Sequence, residues 1–151
     1  MAATAWRRLM CIAYECVILF GVTFFFGYAF STLTQFKGQP GALRWVFQGF
    51  MLVVLAVYFT WFWSQGRRTL PMKTMSVRLC DSTGRPLTPA RAFARFCAGA
   101  AMLCAALAGA QLLNSALILL AAAPAAWALF DPQRRALYDL AAGTRLVLSP
   151  G

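Results

Sequence analysis

The chain carries four acidic residues in 151, and one of them, Glu15, is the lone charge in "CIAYECVILFGVTFFFGYAF", the stretch from Cys11 to Phe30. Ionising a carboxylate at the centre of a bilayer costs roughly 2.5–3.5 kcal/mol on an insertion scale, and less toward the interface. A buried acid in such a place either moves a proton or cation, or holds helices together. The residues one helical turn away from Glu15 are Cys11, Ile12, Ile18 and Leu19, and none can neutralise it. Arg8 shares its face but lies roughly 10.5 Å away along the axis, and it would have to bend inward against its tendency to reach outward to water. Two readings therefore stand side by side. In one, Glu15 is neutral or hydrogen-bonded within the bundle and serves packing. In the other, it lines an ion path.

The remaining reactive residues are sparse. There is no histidine, the usual general base and proton shuttle. The five cysteines, Cys11, Cys16, Cys80, Cys97 and Cys104, are odd in number and show no C-x-x-C spacing. Four of them sit in apolar segments, where a thiol behaves as a small hydrophobe. No nucleophile–base pair, metal-ligand set or glycine-rich phosphate loop is visible. The expectation is a protein with no catalytic site, no metal and no cofactor.

Hydrophobic residues make up 61% of the chain and charged residues 12%, against about 25% charged in a soluble domain. That balance predicts an all-α integral membrane protein formed as a single unit over residues 1–151. The net charge of +10 is read as the excess of Lys and Arg that membrane proteins keep in cytoplasmic loops, not as a nucleic-acid footprint. The predicted spans are 9–30, 43–63, 96–113 and 115–130. The first is longer than a signal-peptide core and no small-residue cleavage site follows it, so it is expected to remain as an anchor. Trp45 stands at one end of the second span and Trp61 and Trp63 at the other, as interfacial aromatics do. Asn114 and Ser115 interrupt the last apolar block, which predicts two short helices in a hairpin; three spans in all is the alternative.

Between the second and third spans lies "SQGRRTLPMKTMSVRLCDSTGRPLTPARAFAR", Ser64 to Arg95, with seven basic residues and one acid, Asp81. Its "MSVRL" alternates and its "DSTG" is a turn signature, which together predict a short hairpin near the membrane surface. Thr88 and Pro89 read as the cap and first residue of a helix. Both termini and this loop are expected in the cytoplasm, and the loop's charge could attract anionic lipid headgroups. In the third span Ala101, Ala105 and Gly109 recur every four residues, a spacing that lets helices approach closely. Their partner is the chain's own bundle, a second copy or another membrane protein.

The tail "FDPQRRALYDLAAGTRLVL" predicts an interfacial helix capped by Asp131, begun at Pro132 and ended by Gly143. Asp139 would then lie near its C-terminus, where the helix dipole disfavours an anion. An outside partner is expected, with Arg7 or Arg8 the candidates, in a partly exposed pair.

Taken together, "WRRLMCIAYE", "TLPMKTMSVRLCD" and "RRALYDLAAGT" resemble the RDD family of bacterial membrane proteins, whose name marks an arginine and two aspartates. Arg8 matches the arginine and Asp139 the second aspartate. Glu15 falls where the first aspartate is expected, a departure that keeps the charge and lengthens the arm. The resemblance implies a bacterial inner-membrane location and, for some members, a suggested cation–proton exchange. The reading from the residues alone favours a membrane structural or interaction module, with transport through Glu15 and Asp139 as the alternative.

Overall fold

A computed structural model describes residues 4–148. The chain is mostly helical, and three helices are long and apolar enough to cross a membrane: α1 (Ala5–Thr34), α2 (Ala42–Trp63) and the later helix Pro89–Leu112. Between α2 and that helix come the short α3 (Leu70–Thr74) and the strand β1 (Val77–Asp81), so Pro89–Leu112 is α4. Beyond α4 the chain continues through a 3-10 segment (Ser115–Ala122), α5 (Ala123–Ala126) and a second 3-10 turn (Trp127–Leu129). It ends in α6 (Leu137–Ala141) and β2 (Thr144–Leu148).

The starts of these helices follow local chemistry. The Thr4 hydroxyl accepts from the Arg7 N–H and begins α1. Thr88 accepts from the Arg91 N–H at 3.4 Å, with Pro89 next, as the sequence predicts for α4. Each satisfies a donor that the first helical turn leaves free.

The segment between α2 and α4, together with α6 and β2, gathers at one end of the bundle and forms a cap. Its core is Met72, Val77, Leu79, Leu87, Ala92 and Leu146, joined by Cys11 of α1. The two strands pair antiparallel, with Val77 opposite Leu148 and Leu79 opposite Leu146, so the apolar alternation of both strands faces this core. The Arg7 guanidinium donates to the Met75 carbonyl at 2.7 Å and ties α1 to the cap. At the opposite end α1 and α2 are held by rings: Phe30, Phe36, Phe47 and Phe50 pack at centroid separations of 5.2 to 6.2 Å.

Three sequence expectations need correction. The strand predicted from "MSVRL" exists, but its partner is the C-terminal strand. The local return that a hairpin would supply is one bridge, Cys80 to Pro86. The third helix begins at Pro89, where Thr88 caps it as the sequence predicts, so it extends upstream of the apolar span 96–113. The predicted helix 115–130 is broken into 3-10 and α pieces. Asn114 diverts its start by accepting from the Ala116 N–H, and Pro124 removes a backbone donor within it. The tail helix is also shorter than expected. Asp131 closes a turn with Arg134, whose φ of 52° reverses the chain, and the helix starts only at Leu137. Gly143, at φ 62°, does terminate it.

Candidate functional site

Asp139 is completely buried, with 0% of its surface exposed. Its Oδ2 accepts from Arg8 Nη1 at 3.1 Å, while its Oδ1 accepts from Arg95 through Nη2 at 2.7 Å and Nε at 2.8 Å. The Ala136 N–H and the Thr144 hydroxyl also donate to the carboxylate, at 3.2 and 3.4 Å. Asp139 therefore binds α1 through Arg8, α4 through Arg95, and the start of β2 through Thr144. A buried carboxylate with this many charge-assisted donors is fully satisfied, and it neutralises only one of the two guanidinium charges.

Arg95 is fixed from its faces as well. Its guanidinium carbon lies 4.1 Å from the Trp63 ring centroid and 4.9 Å from that of Tyr138. Cations over aromatic faces gain roughly 2 kcal/mol or more when desolvated. Burial pushes the Tyr138 hydroxyl above its usual range, so this ring stays neutral at any working pH. Arg8 is less completely served, because its Nε and Nη2 are buried without a hydrogen-bond partner.

Asp139 is thus paired, as the sequence suggests, but two details differ. The pair is buried rather than partly exposed, and Asp139 stands at the third position of α6 rather than near a helix C-terminus. In the first turn an anion is favoured by the helix dipole, and the carboxylate caps the Ala136 N–H. The late start of α6 moved Asp139 from one end of a helix to the other.

Glu15 is not part of this cluster. Its Oε1 accepts from the Tyr58 hydroxyl of α2 at 2.8 Å, so it turns toward a neighbouring helix. It also lines a partly open cavity of about 510 Å³ bordered by α1, α2, α4 and the cap. Arg8, Arg95 and Tyr138 border the same cavity, whose remaining walls are apolar: Leu19, Leu52, Leu55 and Leu103 among others. Among the described residues no group of three or more Cys, Asp or Glu comes together to hold a metal.

A model of the RDD family matches residues 2–143, nearly the whole chain. The chain belongs to the RDD family. No curated protein and no solved structure matches it. Within this RDD chain, Arg8 and Asp139 bond directly, and the third residue of the set, Glu15, stands apart on the cavity wall.

Sequence reading missed Arg95, which makes the shorter of the two contacts to Asp139. One signal was present: Arg95 directly precedes the apolar run of α4, in the position Arg8 holds in α1. It also missed Tyr58 as the partner of Glu15, since nothing local distinguishes that ring from the other aromatics of α2.

Proposed function

We propose that this RDD protein is a non-catalytic multi-pass module of the bacterial inner membrane whose cap is locked onto the bundle by the Arg8–Asp139–Arg95 set. The observation that carries this reading is the 0% exposure of an Asp139 clamped by arginines from two separate membrane-spanning helices. This geometry serves to hold one arrangement of helices.

Four crossings fit this arrangement. Arg95 at the start of α4 and Asp139 beyond the broken segment touch, so the chain returns along α4 before reaching α6. Eight 3-10 residues, four α residues and three more 3-10 residues span about 28 Å at their respective rises, close to the roughly 30 Å hydrocarbon core. A 3-10 segment is longer per residue, which lets a short apolar run cross. In this reading Arg7 and Arg8, the basic 64–88 segment and the tail share one side, and their Arg and Lys residues favour the cytoplasm for it. Ala101 and Ala105 of α4 are exposed, which leaves a small-residue face for a second copy or another membrane protein. Anionic headgroups would meet the exposed Lys73, Arg78, Arg85 and Arg91.

A transport role is the second reading. It is favoured by one observation, the position of Glu15 on the wall of the 510 Å³ cavity. Proton and cation flux in proteoliposomes of the pure protein separates the two. The structural reading expects no flux above empty liposomes. A proton-coupled cation flux that disappears in Glu15→Gln would establish transport instead.

A further inference from the structure

A second, smaller pocket lies in the cap, on the face of the two-stranded sheet opposite the buried core. Directly opposed residues of an antiparallel pair share a face. Arg78 stands opposite Val147 and Cys80 opposite Arg145, so both arginines emerge on this side, while Val77, Leu79, Leu146 and Leu148 turn inward. Two other pieces of chain close over them: Gly66 and Arg68 from the segment after α2, and the turn at Gly84 and Pro86. The volume between them is about 200 Å³ and partly open, with Arg68 and Arg78 on its walls. Arg145 reaches its edge, since its Nη2 lies 3.7 Å from the point where a Cβ on Gly84 would stand.

The charge here is not balanced within the protein. Among the described residues, Arg68, Arg78 and Arg145 have no carboxylate in salt-bridge range. The Nε of Arg145 is buried with no hydrogen-bond partner. The nearest acid in sequence, Asp81, is already occupied by the Thr83 hydroxyl, the Thr83 and Arg85 N–H groups and the Arg91 guanidinium. Arginines gathered about one pocket repel one another unless an anion is shared between them, and arginine's planar fork suits phosphate oxygens.

We propose that this pocket is a phosphate-group site that takes the headgroup phosphate of an anionic phospholipid. Its depth supports a lipid source. Gly66 and Arg68 follow closely on Trp61 and Trp63, which mark the membrane interface at the end of α2, and Arg67 stacks on Trp61 at 4.1 Å. The pocket holds a headgroup phosphate and leaves the acyl chains in the bilayer. At about 30 Å³ for a water's share of liquid, its volume is several waters' worth.

The test uses the full chain in a neutral detergent, titrated with phosphatidylglycerol, with phosphatidylcholine and with inorganic phosphate. Bound molecules are counted by native mass spectrometry. Phosphatidylglycerol is expected to bind with a saturable single site, and the Arg68→Gln/Arg78→Gln double variant to bind it about tenfold or more weakly. Arg145→Gln is a second variant, in case the first alters folding; thermal unfolding without lipid reports that. Arg134→Gln removes one exposed cation from the same end of the molecule, as Arg145→Gln does from the pocket, and is expected to leave binding unchanged. An equal loss in that control would overturn the site, because attraction would then be diffuse. Saturable binding of inorganic phosphate without lipid, lost in the pocket variants, would keep the anion site and overturn the lipid assignment. No saturable binding of either would overturn both.

Discussion

The cap and the membrane-spanning helices are built by different physics. In the cap, Val77, Asp139, Ala92 and Thr69 are fully enclosed, two strands pair, and an ion cluster is dry. α2, by contrast, has no buried residue along its 22 positions, and large side chains such as Phe24, Phe25, Trp45 and Val53 face outward. Water drives apolar groups together, so the cap packs as a small soluble domain does. Lipid is as apolar as leucine and gives no such drive, so the helices rely on ring contacts and isolated hydrogen bonds. The difference teaches where specificity resides. The helices supply apolar length, while the cap decides how they are arranged, because Arg8 and Arg95 at the ends of α1 and α4 meet only through Asp139.

The largest expected effect follows from that clamp. Asp139→Asn leaves two guanidinium groups facing each other in a dry site, and breaking one partner of a buried ion set costs about 3–5 kcal/mol. Thermal unfolding in detergent should fall accordingly. The buried Cys80 thiol should become reactive to maleimide, whereas Cys97 and Cys104, exposed along α4, should keep their rates. A variant as stable as the parent, with Cys80 still protected, would remove the cap's claim to organise the bundle.

Packing gives the next contrast. Leu87→Ala should cost about 2–5 kcal/mol, since Leu87 lies in the cap core. Val53→Ala, on the lipid-facing side of α2, should stay within about 0.5 kcal/mol. Equal losses would erase the distinction between the two regions.

A smaller effect is expected at Glu15. Hydrogen bonds between membrane helices contribute about 0.6 kcal/mol on average. Glu15→Gln should therefore be nearly neutral in stability, and Tyr58→Phe should lose an amount of that order. Glu15→Leu should do more harm than Gln, because it leaves the Tyr58 hydroxyl without an acceptor in an apolar setting.

Acid gives the smallest response. The Asp81 carboxyl is held below its ordinary value of 3.8, chiefly by the Thr83 hydroxyl. That of Asp131 is lowered chiefly by the Arg135 guanidinium. With folded values below unfolded ones, both contribute stability that is complete above the unfolded value and lost as pH falls through the folded one. Asp81→Asn should accordingly flatten the loss of stability below about pH 4, measured by unfolding midpoints across that range.

Much of this fold was legible because its signals are local. A long apolar run announces α1, a threonine followed by proline announces α4, and a glycine announces the end of α6. The alternation of "MSVRL" announces a strand, whereas "TRLVL" at the tail, with three apolar residues in a row, carries no such signal. What periodicity does not carry is the partner. A strand with one apolar face pairs with any edge that completes the core, and here the two stand more than sixty residues apart. The broken segment before α6 was unreadable for a related reason. Its composition suits an α-helix, but Asn114, Pro124 and the need to run back along α4 select a longer rise per residue.

By itself, the sequence determined that the chain carries runs long and apolar enough to cross a membrane, which residues are too costly to bury unpaired, and which segments are basic. Desolvation penalties act on each residue wherever it lands, so composition and order are enough to read them. The tertiary structure alone decided that Asp139 takes its donors from both Arg8 and Arg95, that Glu15 turns to Tyr58, and that Arg68 and Arg78 border one pocket without an acid partner among the described residues. Those outcomes depend on distances between segments far apart in the chain, and such distances exist only once the cap core has drawn the segments together.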